Sequence, residues 1–345
     1  MEQTRTTLRS APMLEILDQA FRVYREKFGL VLAIVGIGTV PATALNILNT
    51  VVLAQRLLPT SALLSTRSAS YYNDYMNRFF LTLGVSVVAA MVIGLLNTLL
   101  ISAPLAYLTS ERTMGRSVSI GQAYKALRGR FAQVAAGVFL FYMLMLLLGV
   151  VSSVALIACG AGIAVFVFFG INTYAFLLPV LVLERHGFVY SIRRAWSLAK
   201  ARFWPLFWMT LSVYVMTFFI AAALGLLRQW VMSGTISAVS TTGSLLVQTV
   251  FQAFIGMFLA PILPIAYTLM YYDTRVREEG LDIALKSVAV PDASPGDVPT
   301  PPPGPFMVRK DWSNLGMLAL LGLVPVVLYF CVVFAITLSL PALYR

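Results

Sequence analysis

Ionisable side chains are scarce in this sequence. Of its 345 residues only 11% are charged, and a single residue, His186, is histidine. One histidine cannot form the acid–base pairs or metal clusters that many hydrolases use. The sequence also lacks a phosphate-binding Gly-Lys-Ser/Thr motif, a Cys-x-x-Cys motif and a nucleophile elbow. We therefore expect no catalytic activity, no metal site and no cofactor.

Apolar residues, by contrast, are in excess. They make up 59% of the chain, against about 45–50% in globular domains, so the bilayer must solvate much of the surface. Seven apolar runs are each long enough to cross a membrane. The predicted spans are 28–54, 79–109, 132–157, 163–183, 204–227, 245–271 and 314–340. The predicted fold class is an all-α polytopic membrane protein.

The basic residues are unevenly distributed. The chain has 25 Lys and Arg against 14 Asp and Glu, giving a net charge of +11. These charges lie between the apolar runs, which favours anionic lipid headgroups over nucleic acid as their partner. Twenty of the 25 fall in alternate connecting segments, beginning with the N-terminal one. The positive-inside rule then predicts a cytoplasmic N-terminus and, with seven spans, an external C-terminus.

Seven prolines between Pro291 and Pro305 predict a semi-extended spacer. We therefore divide the chain into a six-span membrane domain (1–290), a Pro-rich linker (291–312) and a C-terminal transmembrane helix (313–345). The linker is expected to isolate this appended seventh helix from the six-span core.

One short pattern recurs three times. The segments "AFRVYREKF" (20–28), "AYKALRGRF" (123–131) and "AWSLAKARF" (195–203) share Ala, an aromatic residue, five further residues, a basic residue and Phe. On a helix each places its apolar residues in one stripe and its cations opposite, which predicts an amphipathic helix at the membrane interface. Each copy precedes two spans, so the core reads as three units of interfacial helix plus hairpin. The alternative to a true repeat is that the three segments resemble one another by chance, because each is a basic segment next to a span.

The charged residues near these helices are the first candidate site, for lipid headgroups, a protein partner or a second copy of the chain. The candidates are Arg22, Arg25, Lys27, Lys125, Arg128, Arg130, Arg193, Arg194, Lys200, Arg202, Asp273, Arg275 and Arg277. In "YYDTRVREEGLD" (271–282), Asp273–Arg277 and Arg275–Glu279 have the spacing of ion pairs on a helix, and Gly280 that of its C-cap. This segment is either a stabilised helix end where the chain leaves the membrane, or a docking site for a cytoplasmic partner or for lipid headgroups.

Amide side chains inside the spans are the second candidate site. They are Asn46, Asn49, Asn97, Asn172, Gln248 and Gln252. They either hydrogen-bond between helices, at about 0.6–2 kcal/mol each, or line a substrate cavity.

Three segments resemble a known family. "LEILDQAFRVYREKFGLVL", "LVLERHGFVYSIRRAWSLAKARFWPLF" and "LMYYDTRVREEGLDIAL" resemble the membrane domain attached to some bacterial glycerophosphodiester phosphodiesterases. That domain also occurs alone in bacterial and archaeal membrane proteins. The resemblance covers about residues 12–286 and implies a six-span core in a prokaryotic cytoplasmic membrane. The catalytic barrel of those enzymes has no counterpart here, so it implies no phosphodiesterase activity.

These observations favour a non-catalytic scaffold or lipid-interacting module. The alternative is a transporter or flippase with a polar intramembrane cavity. A membrane-embedded enzyme is the third hypothesis, and it depends on Glu111, Glu184, His186 and Asp273, which lie on the same predicted side.

Overall fold

The computed structural model is helical, and it contains no strand in the residues that it describes. Those residues are 10–57, 69–159, 161–184, 186–233, 241–288 and 294–322. Six segments are long and apolar enough to cross a membrane: Phe28–Leu53, Met76–Thr113, Phe131–Ser152, Gly162–Leu183, Phe203–Trp230 and Gly243–Glu279. They confirm the predicted all-α polytopic class. The predicted seventh span lies mostly outside the described residues, which end at 322.

The described helices alternate between long spans and short connecting helices. In chain order they are α1 (Met13–Glu26), α2 (Phe28–Leu57), α3 (Ala69–Asn97), α4 (Ala103–Thr113), α5 (Ile120–Arg128), α6 (Phe131–Cys159), α7 (Ala161–Leu183), α8 (Phe188–Ala201), α9 (Phe203–Ser233), α10 (Thr241–Leu259), α11 (Ile262–Glu279), α12 (Leu281–Ser287) and α13 (309–322).

The fourth and sixth spans form the centre of the bundle. In their most apolar stretches 61% and 50% of residues are buried, against 28% or less in the other four. The main hydrophobic cluster includes Phe176 and Leu181 of α7 and Met270 of α11. The other spans therefore present most of their apolar side chains to the surrounding lipid.

Each of the helices α1, α5 and α8 ends just before a span. Lys27 and Arg202 are the C-caps of α1 and α8, where a cation interacts favourably with the helix dipole. Their carbonyl groups then accept hydrogen bonds from the first turn of α2 and α9, from Val31 and Leu206. α5 begins with a capping box between Ser119 and Gln122.

Two of these short helices, α5 and α1, donate hydrogen bonds to backbone carbonyl groups at points where the regular hydrogen bonding of a span is interrupted. Pro104 has no N–H for the carbonyl of Leu100, and a π-helical turn, Thr98–Ser102, precedes it. The Tyr124 hydroxyl of α5 donates to that carbonyl at 2.6 Å. At the break between α10 and α11, Tyr24 of α1 donates to the carbonyl of Phe258 at 3.1 Å. Burial raises the pKa of both tyrosines, so their hydroxyl groups stay protonated donors.

The described part of the Pro-rich linker packs on the bundle, contrary to the expectation that it isolates the last helix. Val298 is buried in the main hydrophobic cluster, and Leu318 of α13 packs with Phe168 and Phe203. Proline-rich chain forms no internal hydrogen bonds, so its carbonyl groups remain available as acceptors. The Trp196 indole donates to the carbonyl of Phe306, and the Phe306 ring stacks on the Trp196 ring with centroids 4.8 Å apart.

Candidate functional site

Charged side chains concentrate at one end of the bundle. This charged end is formed by α1, α5, α8, α12, the last two turns of α11 and residues 294–308. An ion pair between Arg112 and Glu26 joins α4 to α1 there, and the carbonyl of Val182 accepts a hydrogen bond from Arg130 at 3.1 Å. The helices that precede the spans thus close this end of the bundle.

Four charged residues form a buried network inside the charged end. Arg194 of α8 lies between two carboxylates, 3.2 Å from Glu184 and 2.5 Å from Glu279. Arg275 of α11 contacts the same two carboxylates, at 3.5 Å from Glu184 and 2.9 Å from Glu279. The four side chains are at most 9% exposed, and their charges cancel.

Neutral groups complete this buried charge network. The Tyr271 hydroxyl donates to Glu184 at 2.9 Å and accepts from Arg275 at 3.0 Å. Arg275 also donates to the carbonyl of Pro295 at 3.2 Å, so the linker is part of the network. A buried ion pair stabilises a fold only when its remaining hydrogen-bonding groups are satisfied. The network therefore joins the end of α7, α8, α11 and the linker.

Asp273 is the centre of a second cluster. It accepts the backbone N–H of Ala11 at 2.8 Å and the Arg277 guanidinium at 3.0 Å. Arg202, at the start of α9, lies 3.4 Å from the other Asp273 oxygen. Arg277 also donates to the carbonyl of Ala11 at 3.0 Å. Asp273, which lies on α11, therefore links the chain before α1 at Ala11 with the start of α9 at Arg202.

The predicted headgroup or partner contacts separate into three groups by burial. Arg194, Asp273 and Arg275 are buried, at 4% exposure or less, so the expected surface contact is wrong for these three. Their charges are satisfied by other protein groups. The half-buried residues are Lys27, Arg130, Lys200 and Arg202. The exposed residues are Arg22, Arg25, Lys125, Arg128, Arg193 and Arg277.

The four residues of the enzyme hypothesis have separate sets of partners. Glu184 belongs to the buried charge network and Asp273 to its own cluster, while Glu111 pairs with Arg116 at 3.3 Å. His186 contacts the Thr300 hydroxyl at 3.0 Å. In the described ranges, no group of three or more His, Cys, Asp or Glu residues has an arrangement that could hold a metal ion.

The predicted amides are partly brought together. Asn46, Asn97 and Gln252 line one cavity of about 280 Å³ between α2, α3 and α10, here called the polar cavity. Asn49 is not in its lining. Asn172 is fully buried in α7 and donates to the carbonyl of Phe168 at 3.0 Å. The cavity interpretation thus fits three amides, whereas Asn172 bonds to its own helix.

A second space, the α9–α10 groove, has a volume of about 470 Å³. Gln248 and Gln252 line it together with Arg228 of α9. Gln252 also lines the polar cavity, so the two spaces meet at this side chain.

Sequence reasoning missed a cavity of about 630 Å³ between α6, α7, α9 and α11. Four tyrosines, Tyr142, Tyr174, Tyr214 and Tyr267, line it, and the Tyr267 hydroxyl lies 3.1 Å from that of Thr210. The sequence signal that could have indicated this cavity was the position of the tyrosines along the chain. Tyrosine is enriched at membrane interfaces, yet Tyr142, Tyr174 and Tyr214 lie well inside the predicted spans.

The comparisons with known proteins add no relative. A scan against protein-family models gave no match, and neither did searches of curated proteins and of solved structures. The resemblance to the membrane domain of glycerophosphodiester phosphodiesterases therefore stays a prediction from the quoted motifs.

Proposed function

We propose that this integral membrane protein is a non-catalytic, lipid-interacting module or scaffold of the prokaryotic cytoplasmic membrane. Its charged end faces the cytoplasm and binds anionic lipid headgroups through the exposed cations of α1, α5 and α8. A protein partner or a second copy then assembles on this surface. The observation that carries the proposal is the division of the cations at this end into a buried, paired group and an exposed group.

Four of the exposed cations are available for such a contact. Within the described part of the chain, Arg25, Lys125, Arg128 and Arg193 form no ion pair or side-chain hydrogen bond. A cation near an anionic membrane surface contributes about 1 kcal/mol to the attraction. Since the described residues provide no acceptor for these four, lipid phosphates are the natural counterions.

The three short helices support the repeat that the sequence predicts. Ala20, Ala123 and Ala195, which begin the three copies, are all buried at 1% exposure or less. These alanines thus pack on the bundle, while Arg25, Lys125, Arg128 and Arg193 of the same helices are exposed. Twenty of the 25 basic residues lie in the segments on this side, which supports a cytoplasmic orientation.

The test removes the four unpaired cations together, as Arg25→Gln, Lys125→Gln, Arg128→Gln and Arg193→Gln. The protein is reconstituted in mixed vesicles, and energy transfer from its tryptophans to pyrene-labelled phosphatidylglycerol is compared with transfer to pyrene-labelled phosphatidylcholine. We expect the preference for phosphatidylglycerol to fall at least about tenfold, at ~1 kcal/mol per cation. High salt should weaken the wild-type preference in the same way.

The matched control keeps every charge by exchanging Arg and Lys at the same four positions. This variant should retain the wild-type preference, because the attraction depends mainly on charge. The proposal fails if the glutamine variant still prefers phosphatidylglycerol at low salt.

The polar cavity favours a second candidate function, transport of a polar solute or lipid headgroup. Asn97 and Gln252 face this space from different helices. If this function holds, reconstituted protein moves labelled lipid or solute across the bilayer, and Asn97→Leu slows that movement. Asn172→Leu, outside the cavity, is the comparison variant. Absence of movement above protein-free vesicles would eliminate this candidate.

A further inference from the structure

The α9–α10 groove contains a cation that the proposed function does not use. Arg228 lines the groove, and it makes no ion pair or hydrogen bond within the described part of the chain. No Asp or Glu is among the described residues that line the groove. An unpaired arginine within a membrane-spanning segment is energetically costly unless it reaches water, headgroups or an anion.

The position of Arg228 along α9 gives its depth in the bilayer. It follows Phe203, at the charged end, by 25 residues, or about 37 Å of helix. The hydrocarbon core is about 30 Å thick. Arg228 therefore lies at the headgroup level of the leaflet opposite the charged end, the depth at which a phospholipid carries its phosphate.

The groove continues from Arg228 toward the middle of the bilayer. Tyr214, near its inner end, precedes Arg228 by 14 residues, or about 21 Å of helix. Phe251, Ile255 and Leu259 provide an apolar wall along this length. The groove is thus charged at the interface and mainly apolar inside, which is the order of groups in a phospholipid.

Small residues keep this path open. Gly225 and Gly256 line the groove, and a Cβ atom added at either position would meet no neighbouring atom within 4 Å. The volume of about 470 Å³ lies in the range of sites that bind small molecules, roughly 300–1,000 Å³.

We propose that the α9–α10 groove binds one phospholipid of the leaflet opposite the charged end. Its phosphate is bound by Arg228, and one acyl chain lies along Phe251, Ile255 and Leu259. The guanidinium group suits this ligand because its planar N–H groups match two phosphate oxygens at once. Gln248, which also lines the groove, adds an amide that can contact the glycerol ester region.

Native mass spectrometry of the full chain, purified in detergent, tests this site. The protein is titrated with phosphatidylglycerol and with diacylglycerol carrying the same acyl chains. We expect one tightly held phosphatidylglycerol per chain and at least tenfold weaker binding of diacylglycerol. Arg228→Gln should weaken phosphatidylglycerol binding about ten- to a hundredfold, the range for a lost hydrogen bond to a charged group.

A second variant tests the apolar part of the site without removing charge. Gly225→Leu extends a side chain into the groove and should abolish the tightly held lipid, while leucine favours the helix more than glycine does. Gly84→Leu is its control, because Gly84 also lies in a helix with nothing near its Cβ position. Lys286→Gln, an exposed residue of α12, is the control for charge removal. Both control variants should bind like the wild type.

Three results would each overturn the proposal. Diacylglycerol could bind as tightly as phosphatidylglycerol, the groove variants could bind like the wild type, or the controls could lose as much binding as the groove variants. The variant that lacks the four exposed cations of the charged end should keep the groove lipid. Failure of this inference is therefore distinguishable from failure of the proposed function.

Discussion

Replacement of Glu184 by glutamine is expected to lower the free energy of unfolding by about 3–5 kcal/mol, the range for breaking a buried ion pair. The glutamine has nearly the same shape, but it leaves Arg194 and Arg275 with one carboxylate between them. Both arginines are at most 2% exposed, so neither can turn to water. Tyr271 also loses a charged acceptor at 2.9 Å.

Unfolding of the variant in a denaturing detergent, followed by circular dichroism, measures this loss. Glu278→Gln is the matched control, because Glu278 lies on α11 next to Glu279 of the network and is exposed. Its effect should stay within about 0.5 kcal/mol, as for most surface substitutions. Equal stabilities of the two variants would contradict the structural role of the buried charge network.

A double variant separates charge balance from local disruption. Glu184→Gln combined with Arg194→Met removes one charge of each sign and leaves Arg275 paired with Glu279 at 2.9 Å. The combined loss of stability should therefore be smaller than the sum of the two single losses. If the two single losses simply added, Glu184 and Arg194 would contribute to stability independently.

Replacement of Asp273 by alanine is expected to destabilise the protein by about 3 kcal/mol, the upper range for hydrogen bonds to a charged group. The carboxylate is 4% exposed and accepts from the backbone of Ala11 and from Arg277. Its loss leaves Arg202 and Arg277 as neighbouring cations without their shared anion. The effect should be smaller than that at Glu184, because the Arg277 side chain is 35% exposed and can reach water.

Hydrogen exchange gives a local measurement of the same change. The Ala11 amide donates to Asp273, so an N-terminal peptide containing Ala11 should exchange faster in Asp273→Ala. Asp282→Ala, on the neighbouring α12, should leave that exchange rate unchanged. Slow exchange at Ala11 in both variants would show that Asp273 does not fasten the chain before α1.

The spans and helix ends were predictable because they depend on neighbours in the chain. An apolar run of about 20 residues identifies a span whatever lies beside it. The same holds for the Asp273–Arg277 and Arg275–Glu279 pairs, which the structure confirms at 3.0 and 2.9 Å. Gly280 adopts the left-handed conformation expected of a C-cap, with φ of 62°.

The candidate site was only partly predictable. Lys125 and Arg193 are exposed, as an amphipathic helix requires, but Arg194 is buried one residue later. Helical periodicity indicates which face of a helix is apolar. It does not indicate which cation at the edge of that face pairs with a carboxylate from another part of the chain. Nor could it show that Asn97 shares a cavity with Gln252 while Asn172 does not.

The sequence by itself determined the class of protein, the positions of six spans and the concentration of cations on one side. Hydropathy and charge between spans are local properties, so no tertiary information was needed. Only the tertiary structure decided which charges are buried, where the linker packs and which polar groups share a cavity. Those outcomes depend on partners far apart in the chain, such as Glu184 with Tyr271, 87 residues away, and Ala11 with Asp273, 262 residues away. Such pairings arise from how the helices pack against one another, and the periodic pattern of one helix does not identify the residues that it meets on another.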